Sequence, residues 1–152
     1  MNGAIERIIA YPEKSSRGIE LSEGFLMENL GLKGDFHAAG GDRQVSLLFA
    51  ESREQLALQK SKGLCFLRFK ENLSIRANME NSPGLEVFEP GILIEAGGAL
   101  LEITGETKRC HEECELYRAG KTCLLTGSSL FARVVRGGTI RAGDSVTIKM
   151  PS

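Results

Sequence analysis

The chain alternates short apolar runs with turn residues and carries few long periodic stretches. Residues 4–11 read as a first strand ended by Pro12, which has no N–H to donate to a ladder. Ile19 and Leu21 alternate with Glu20 and Ser22, the period of two of a short strand. Residues 45–49 form an apolar strand, and residues 64–76 return to the strand pattern. Residues 93–95 and 100–104 predict a hairpin across Ala96, Gly97, Gly98 and Ala99. Residues 131–135, 139–141 and 146–149, separated by Gly137-Gly138 and Gly143-Asp144, predict a closing meander.

Between these strands lie few helical signals. Ser52 with Gln55 makes a capping-box pattern, and Lys60, Lys62 and Gly63 supply the matching stop, so 52–62 is the predicted helix. Residues 31–44 (GLKGDFHAAGGDRQ) hold four glycines and two aspartates and predict a long loop. Pro83-Gly84 and Pro90-Gly91 mark further turns. Seven to nine short strands with one or two helices imply a mainly β chain, closed as a small β-barrel.

Composition narrows this further. The 152 residues suit one domain, 1–152, large enough to bury a core without disulfides or metal. Gly accounts for 18 of them, well above the usual share of about 7%, in keeping with many tight turns. Lys plus Arg number 19 against 20 Asp plus Glu, a balance that argues against a nucleic-acid partner. No run approaches the roughly 18 apolar residues that cross a bilayer, and Glu6 and Arg7 break the N-terminal apolar run. The expectation is a cytoplasmic protein with reduced thiols and no membrane partner.

Three of the four cysteines, Cys110, Cys114 and Cys123, fall within 14 residues, beside His111. Cys110, Cys114 and Tyr117 share one face if the segment is helical, with Gly120 as its stop. A thiolate is the nucleophilic form, and neighbouring cations lower a thiol pKa. Cys110 follows Lys108 and Arg109 and precedes His111, whereas Cys114 sits among Glu112, Glu113 and Glu115. Cys110 is therefore the candidate reactive thiolate. Cys65, inside an apolar run, reads as a buried small hydrophobe. A structural zinc or iron–sulfur site is a second reading of the cluster, but its spacing matches none of the common zinc patterns.

Other chemistry is thinly signalled. The loop 31–44 lacks both the dinucleotide and the P-loop fingerprints, so Gly31, Gly34, Gly40 and Gly41 read as turn formers. His37 reads as a solvent-facing or hydrogen-bonded loop residue. Arg43, opening a strand, suits either an anionic ligand or the carboxylate of Asp42. Hydrolase-elbow, zinc-protease and kinase signatures are absent. Arg133, Arg136, Arg141 and Lys149 face only Asp144 in residues 124–152, which suits a solvated rim or an anion-binding mouth.

Several segments in order resemble the MOSC domain family, named for the C-terminal domain of molybdenum cofactor sulfurase. They are GLKGD at 31–35, DRQVSLL at 42–48, ENL at 71–73, the Pro90-Gly91 turn, LEIT at 101–104, RCHEEC at 109–114 and FARVVRGGTIRAGDSV at 131–146. The short chain with a later cysteine is similar to stand-alone bacterial members. The resemblance implies a barrel of the pyruvate-kinase type, a persulfide-carrying thiol at Cys110, and a link to the molybdenum cofactor or to metal–sulfur centre assembly. It also implies that Arg43 and Asn72 line the same site.

The resulting expectation is a sulfur-carrier or sulfurtransferase domain. Cys110 accepts sulfur from a cysteine desulfurase and passes it to a molybdenum enzyme or its cofactor. Lys108, Arg109 and His111 favour the anionic sulfur, Arg43 and Arg133 hold the anionic cofactor, and Cys114 or Cys123 resolves the persulfide. No lysine has a Schiff-base context, so pyridoxal phosphate belongs to the partner. The alternatives are a binding module for molybdopterin or molybdate without chemistry of its own, and a small protein with a structural Cys/His metal site.

Overall fold

A computed structural model describes residues 2–14, 16–41, 43–50, 54, 70–77, 90–104 and 129–149. These form eleven strands: β1 (Asn2–Ala10), β2 (Ile19–Leu21), β3 (Glu23–Met27), β4 (Gly31–Leu32), β5 (Val45–Phe49), β6 (Leu73–Ala77), β7 (Leu93–Ala96), β8 (Ala99–Ile103), β9 (Ser129–Arg136), β10 (Gly138–Arg141) and β11 (Ser145–Lys149). The expected mainly β barrel is what the chain builds. Seven strands run in the order β11-β7-β8-β9-β5-β6-β1, and β1 pairs back to β11 to close the ring. Closure leaves these seven strands no free edge. Only β5 and β6 run parallel; the other barrel neighbours are antiparallel.

The interior follows the period of two wherever the strands are regular. On β8, Ala99, Leu101 and Ile103 are buried while Leu100 and Glu102 are half-buried. On β5, Val45, Leu47 and Phe49 enter the core, and the alternate residues Ser46 and Leu48 are buried as well. β1 breaks the alternation. Its core residues are Ile5, Ile8 and Ala10, because the register with β6 slips between Ile5 and Arg7. One extra residue in a bulge moves every later side chain to the opposite face.

A second sheet, in the order β10-β3-β4, packs Leu26, Leu32 and Ile140 into the same core. This corrects the expectation of a closing meander: β9, β10 and β11 do not pair with one another. β9 lies between β8 and β5, β10 pairs with β3, and β11 lies between β7 and β1. The turn at Gly137-Gly138 permits the change of sheet. A Cβ at position 138 would stand 2.3 Å from the Gly98 carbonyl oxygen, so only glycine allows that approach. The sequence pattern also missed β3, which is partly exposed and without clean alternation, and β4, whose two buried residues are too few to show a period. Of the predicted helix 52–62 only Glu54, which is helical, is among the described residues.

Strand register places several chain connections at one end of the barrel. Phe49 pairs with Ile75, Leu48 with Ser129, Ala132 with Ile103, Gly3 with Ala77, and Leu93 with both Glu102 and Lys149. The C-terminal ends of β5, β6 and β8 and the N-terminal ends of β7 and β9 therefore share one rim. The connections 78–89 and 105–128 both leave and return there.

Candidate functional site

The loop between β4 and β5 is held by backbone geometry before any side chain acts. Gly31, Gly34, Gly40 and Gly41 all have positive φ, as expected of turn formers. At Gly31 a Cβ would also meet the Gln44 carbonyl oxygen at 2.6 Å, so the loop's two ends close tightly on each other. Gln44 fastens the far end: its Nε2 donates to Gly41 O at 2.9 Å, and its Oε1 accepts from Val134 N at 3.0 Å.

Within this loop the buried Asp35 pairs with the half-buried His37. The Asp35 side chain is 0% exposed, and three donors surround it. Oδ1 accepts from Tyr11 N at 2.7 Å, while Oδ2 accepts from His37 N at 3.0 Å and faces His37 Nδ1 at 2.8 Å. Burial pushes the Asp35 pKa up, but hydrogen bonds from the His37 side chain and the Tyr11 and His37 backbones outweigh it and hold the carboxyl below its ordinary value. The Phe36 ring lies against the imidazole, centroids 3.9 Å apart. Lys70 Nζ stands 5.4 Å from the Tyr11 ring centroid and 5.8 Å from that of Phe36, and donates to the carbonyls of Lys14 and Ser16. Sequence reasoning placed His37 in the loop but passed over its pairing with Asp35. The available signal was the Asp-x-His spacing inside a glycine-rich turn.

On the neighbouring strands the other described candidates take distinct places. Arg43 is exposed, and its guanidinium carbon lies 4.9 Å above the centroid of the buried Phe131 ring. Arg133, two residues along β9, gives Nε and Nη2 to Glu102 Oε1 at 3.1 and 2.5 Å and Nη1 to Asn29 Oδ1 at 3.1 Å. Asn72 is 0% exposed. Its Oδ1 accepts from Ser46 N at 3.0 Å and Ser46 Oγ at 3.2 Å, and its Nδ2 donates to Ile9 O at 3.1 Å. The amide thus clamps β1 and β5 from the start of β6. Arg43 is exposed and lies against the Phe131 ring, Arg133 is engaged across β9 and β8, and Asn72 faces the protein interior.

The connection 105–128, which holds the cysteine cluster of the sequence, follows Thr104. Thr104, the last described residue before it, donates from N at 3.1 Å and Oγ1 at 3.2 Å to Phe131 O, the residue whose ring carries the Arg43 guanidinium. Lys108, Arg109, Cys110, His111, Cys114 and Cys123 lie outside the described residues, as do Cys65 and Asp42. Among the described residues, no group of three or more His, Cys, Asp or Glu is placed to hold a metal ion. No helix among them is long and apolar enough to cross a membrane.

Comparison with known proteins agrees with this architecture. The family model for the MOSC domain matches residues 33–147. No curated protein sequence matches the chain. Among solved structures, the YuaD protein from Bacillus subtilis aligns over 100% of this chain and 98% of its own, with 19% identity and a TM-score of 0.70. YiiM from Escherichia coli aligns over 100% of this chain and 71% of its own, with 17% identity and a TM-score of 0.62. A hypothetical protein of 18% identity aligns over 97% of this chain and 68% of its own, with a TM-score of 0.60. These likenesses establish a shared fold.

Proposed function

The chain belongs to the MOSC domain family, and from that premise we propose that it carries sulfur as a persulfide on Cys110 for delivery to the molybdenum cofactor. The observation that most supports this is the attachment of the cysteine segment. Its N-terminal anchor, Thr104, is bonded to Phe131, and the exposed Arg43 guanidinium lies on that residue's ring. A cation held on an aromatic face keeps its direction and suits an anionic group such as a phosphate-bearing pterin. Lys108, Arg109 and His111 flank Cys110 in sequence and favour its ionised form.

In the proposed cycle the Cys110 thiolate attacks the terminal sulfur of a donor persulfide. The donor is a separate pyridoxal-phosphate-dependent cysteine desulfurase, which leaves as a thiolate. The acceptor, the molybdenum cofactor free or within its enzyme, then binds the terminal sulfur. Cys114 or Cys123 attacks Cys110 Sγ, forms a disulfide, and leaves sulfide with the acceptor. The second thiol supplies the two electrons, and a cellular dithiol reductant restores the disulfide to thiols.

Incubation with a cysteine desulfurase and cysteine, followed by assay of protein-bound sulfane sulfur, tests the reading. Cys110→Ala is expected to lose at least tenfold in bound sulfane sulfur. If it holds as much as the parent, the role of Cys110 is wrong. Arg43→Ala is expected to load normally but to bind molybdopterin about tenfold more weakly, which corresponds to about 1.4 kcal/mol. A binding module without sulfur chemistry gives a different pattern: no loading in any variant, and cofactor binding that survives Cys110→Ser.

A further inference from the structure

We propose that Asp35 and His37 form a proton-transfer dyad, with His37 Nε2 as acceptor for a proton from a weakly acidic S–H or O–H group of a bound ligand. The inference uses neither Cys110 nor sulfur transfer and stands or falls apart from them.

Three contacts fix the imidazole. Its Nδ1 faces Asp35 Oδ2 at 2.8 Å, its own backbone N–H donates to the same oxygen, and Phe36 covers its ring at 3.9 Å between centroids. An ionised carboxylate only accepts, so Nδ1 carries the hydrogen and Nε2 holds the lone pair. The Asp35 side chain is fully buried, while that of His37 is 23% exposed, so solvent reaches the pair from the imidazole side. Loop closure alone does not call for an imidazole here. Asp35 already accepts from the backbone N–H groups of Tyr11 and His37, and any residue but proline at position 37 supplies the latter.

Proton acceptance makes His37 an imidazolium directly paired with the Asp35 carboxylate, the arrangement by which a buried acid stabilises a charged histidine. The proton leaves X–H, its bonding pair stays on X, and no redox change occurs. The ammonium of Lys70, over the Phe36 and Tyr11 rings, adds a positive charge nearby that favours an anionic conjugate base. Among the described residues, Asp35, Lys70 and Tyr11 are ionisable groups near this loop segment, and of these Asp35 is the one hydrogen-bonded to the ring.

His111→Gln leaves His37 as the single histidine of the 152 residues. Two measurements then apply: imidazole nitrogen-15 shifts, and acylation by diethyl pyrocarbonate as a function of pH. The proposal expects the Nδ1–H tautomer above the histidine titration, and acylation in the folded protein that rises as the ring loses its proton. His37→Gln in the same background should abolish acylation and keep the circular dichroism of the parent. An Nε2–H tautomer overturns the proposal. So does a ring that reacts only after unfolding, since its outer nitrogen would then be inaccessible.

Discussion

Asn72, Asp35 and Arg43 are three polar residues whose environments set three different roles. Asn72 is enclosed, and its amide satisfies Ser46 and Ile9. Asn72→Ala leaves buried backbone groups unsatisfied and is expected to cost roughly 2–4 kcal/mol in urea unfolding. Arg43→Ala removes an exposed side chain and is expected to change stability far less while weakening anion binding. Asp35 carries the acid sensitivity of the loop. Its folded-state pKa lies below the unfolded value of about 3.9, so its ionised form stabilises the fold above that value. That contribution is lost as pH falls through the depressed folded value. Asp35→Asn is therefore expected to lower stability by about 1–3 kcal/mol at neutral pH and to flatten the decline between about pH 5 and pH 3, read from urea midpoints.

At the scale of elements, the contacts that redirect strands matter more than the strands' own propensities. β9 and β10 are separated by one residue yet lie in different sheets, because Gly138 brings its backbone against Gly98. The Gly98 N–H donates to Thr139 O at 3.1 Å, sealing the crossing. Gly138→Ala places a methyl into that backbone contact and is expected to cost about 2–4 kcal/mol, measurable as a lowered thermal midpoint. The parallel pairing of β5 with β6 is likewise a tertiary choice, since their sequences equally allow a hairpin partner. Ser46 settles it locally, its Oγ donating to Lys70 O at 2.7 Å and its N–H to Asn72.

For the whole molecule, the decisive feature is that the first and last described strands meet. Asn2 pairs with Thr147 and Ala4 with Ser145, and β11 also pairs with β7. Removing residues 145–152 would withdraw Val146 from the core and open the edges of β1 and β7 together. The truncated chain is expected to aggregate or to elute as mixed oligomers in size-exclusion chromatography, where the full chain gives one species. A monodisperse, folded truncation would show that closure is dispensable. The same closure sorts the connections, so that 78–89 and the cysteine-bearing 105–128 both spring from one rim.

Much of this was legible before any coordinates. Alternation and turn residues determined that the chain is β, and they located β2, β5, the β7–β8 hairpin and the positions of β9, β10 and β11 within a residue or two, because side-chain period and glycine geometry are local properties. The clustering of thiols and cations around Cys110 was likewise a local signal. Partner choice was not. Which strands are neighbours, the β1 bulge, the enclosure of Asn72 and the coupling of Arg133 to Glu102 depend on residues that are distant in sequence and adjacent only once the ring closes. The Asp35–His37 pair stands between the two cases. Its spacing is written in a tight turn, but a further donor to the carboxylate, the Tyr11 backbone N–H just past β1, comes from 24 residues away.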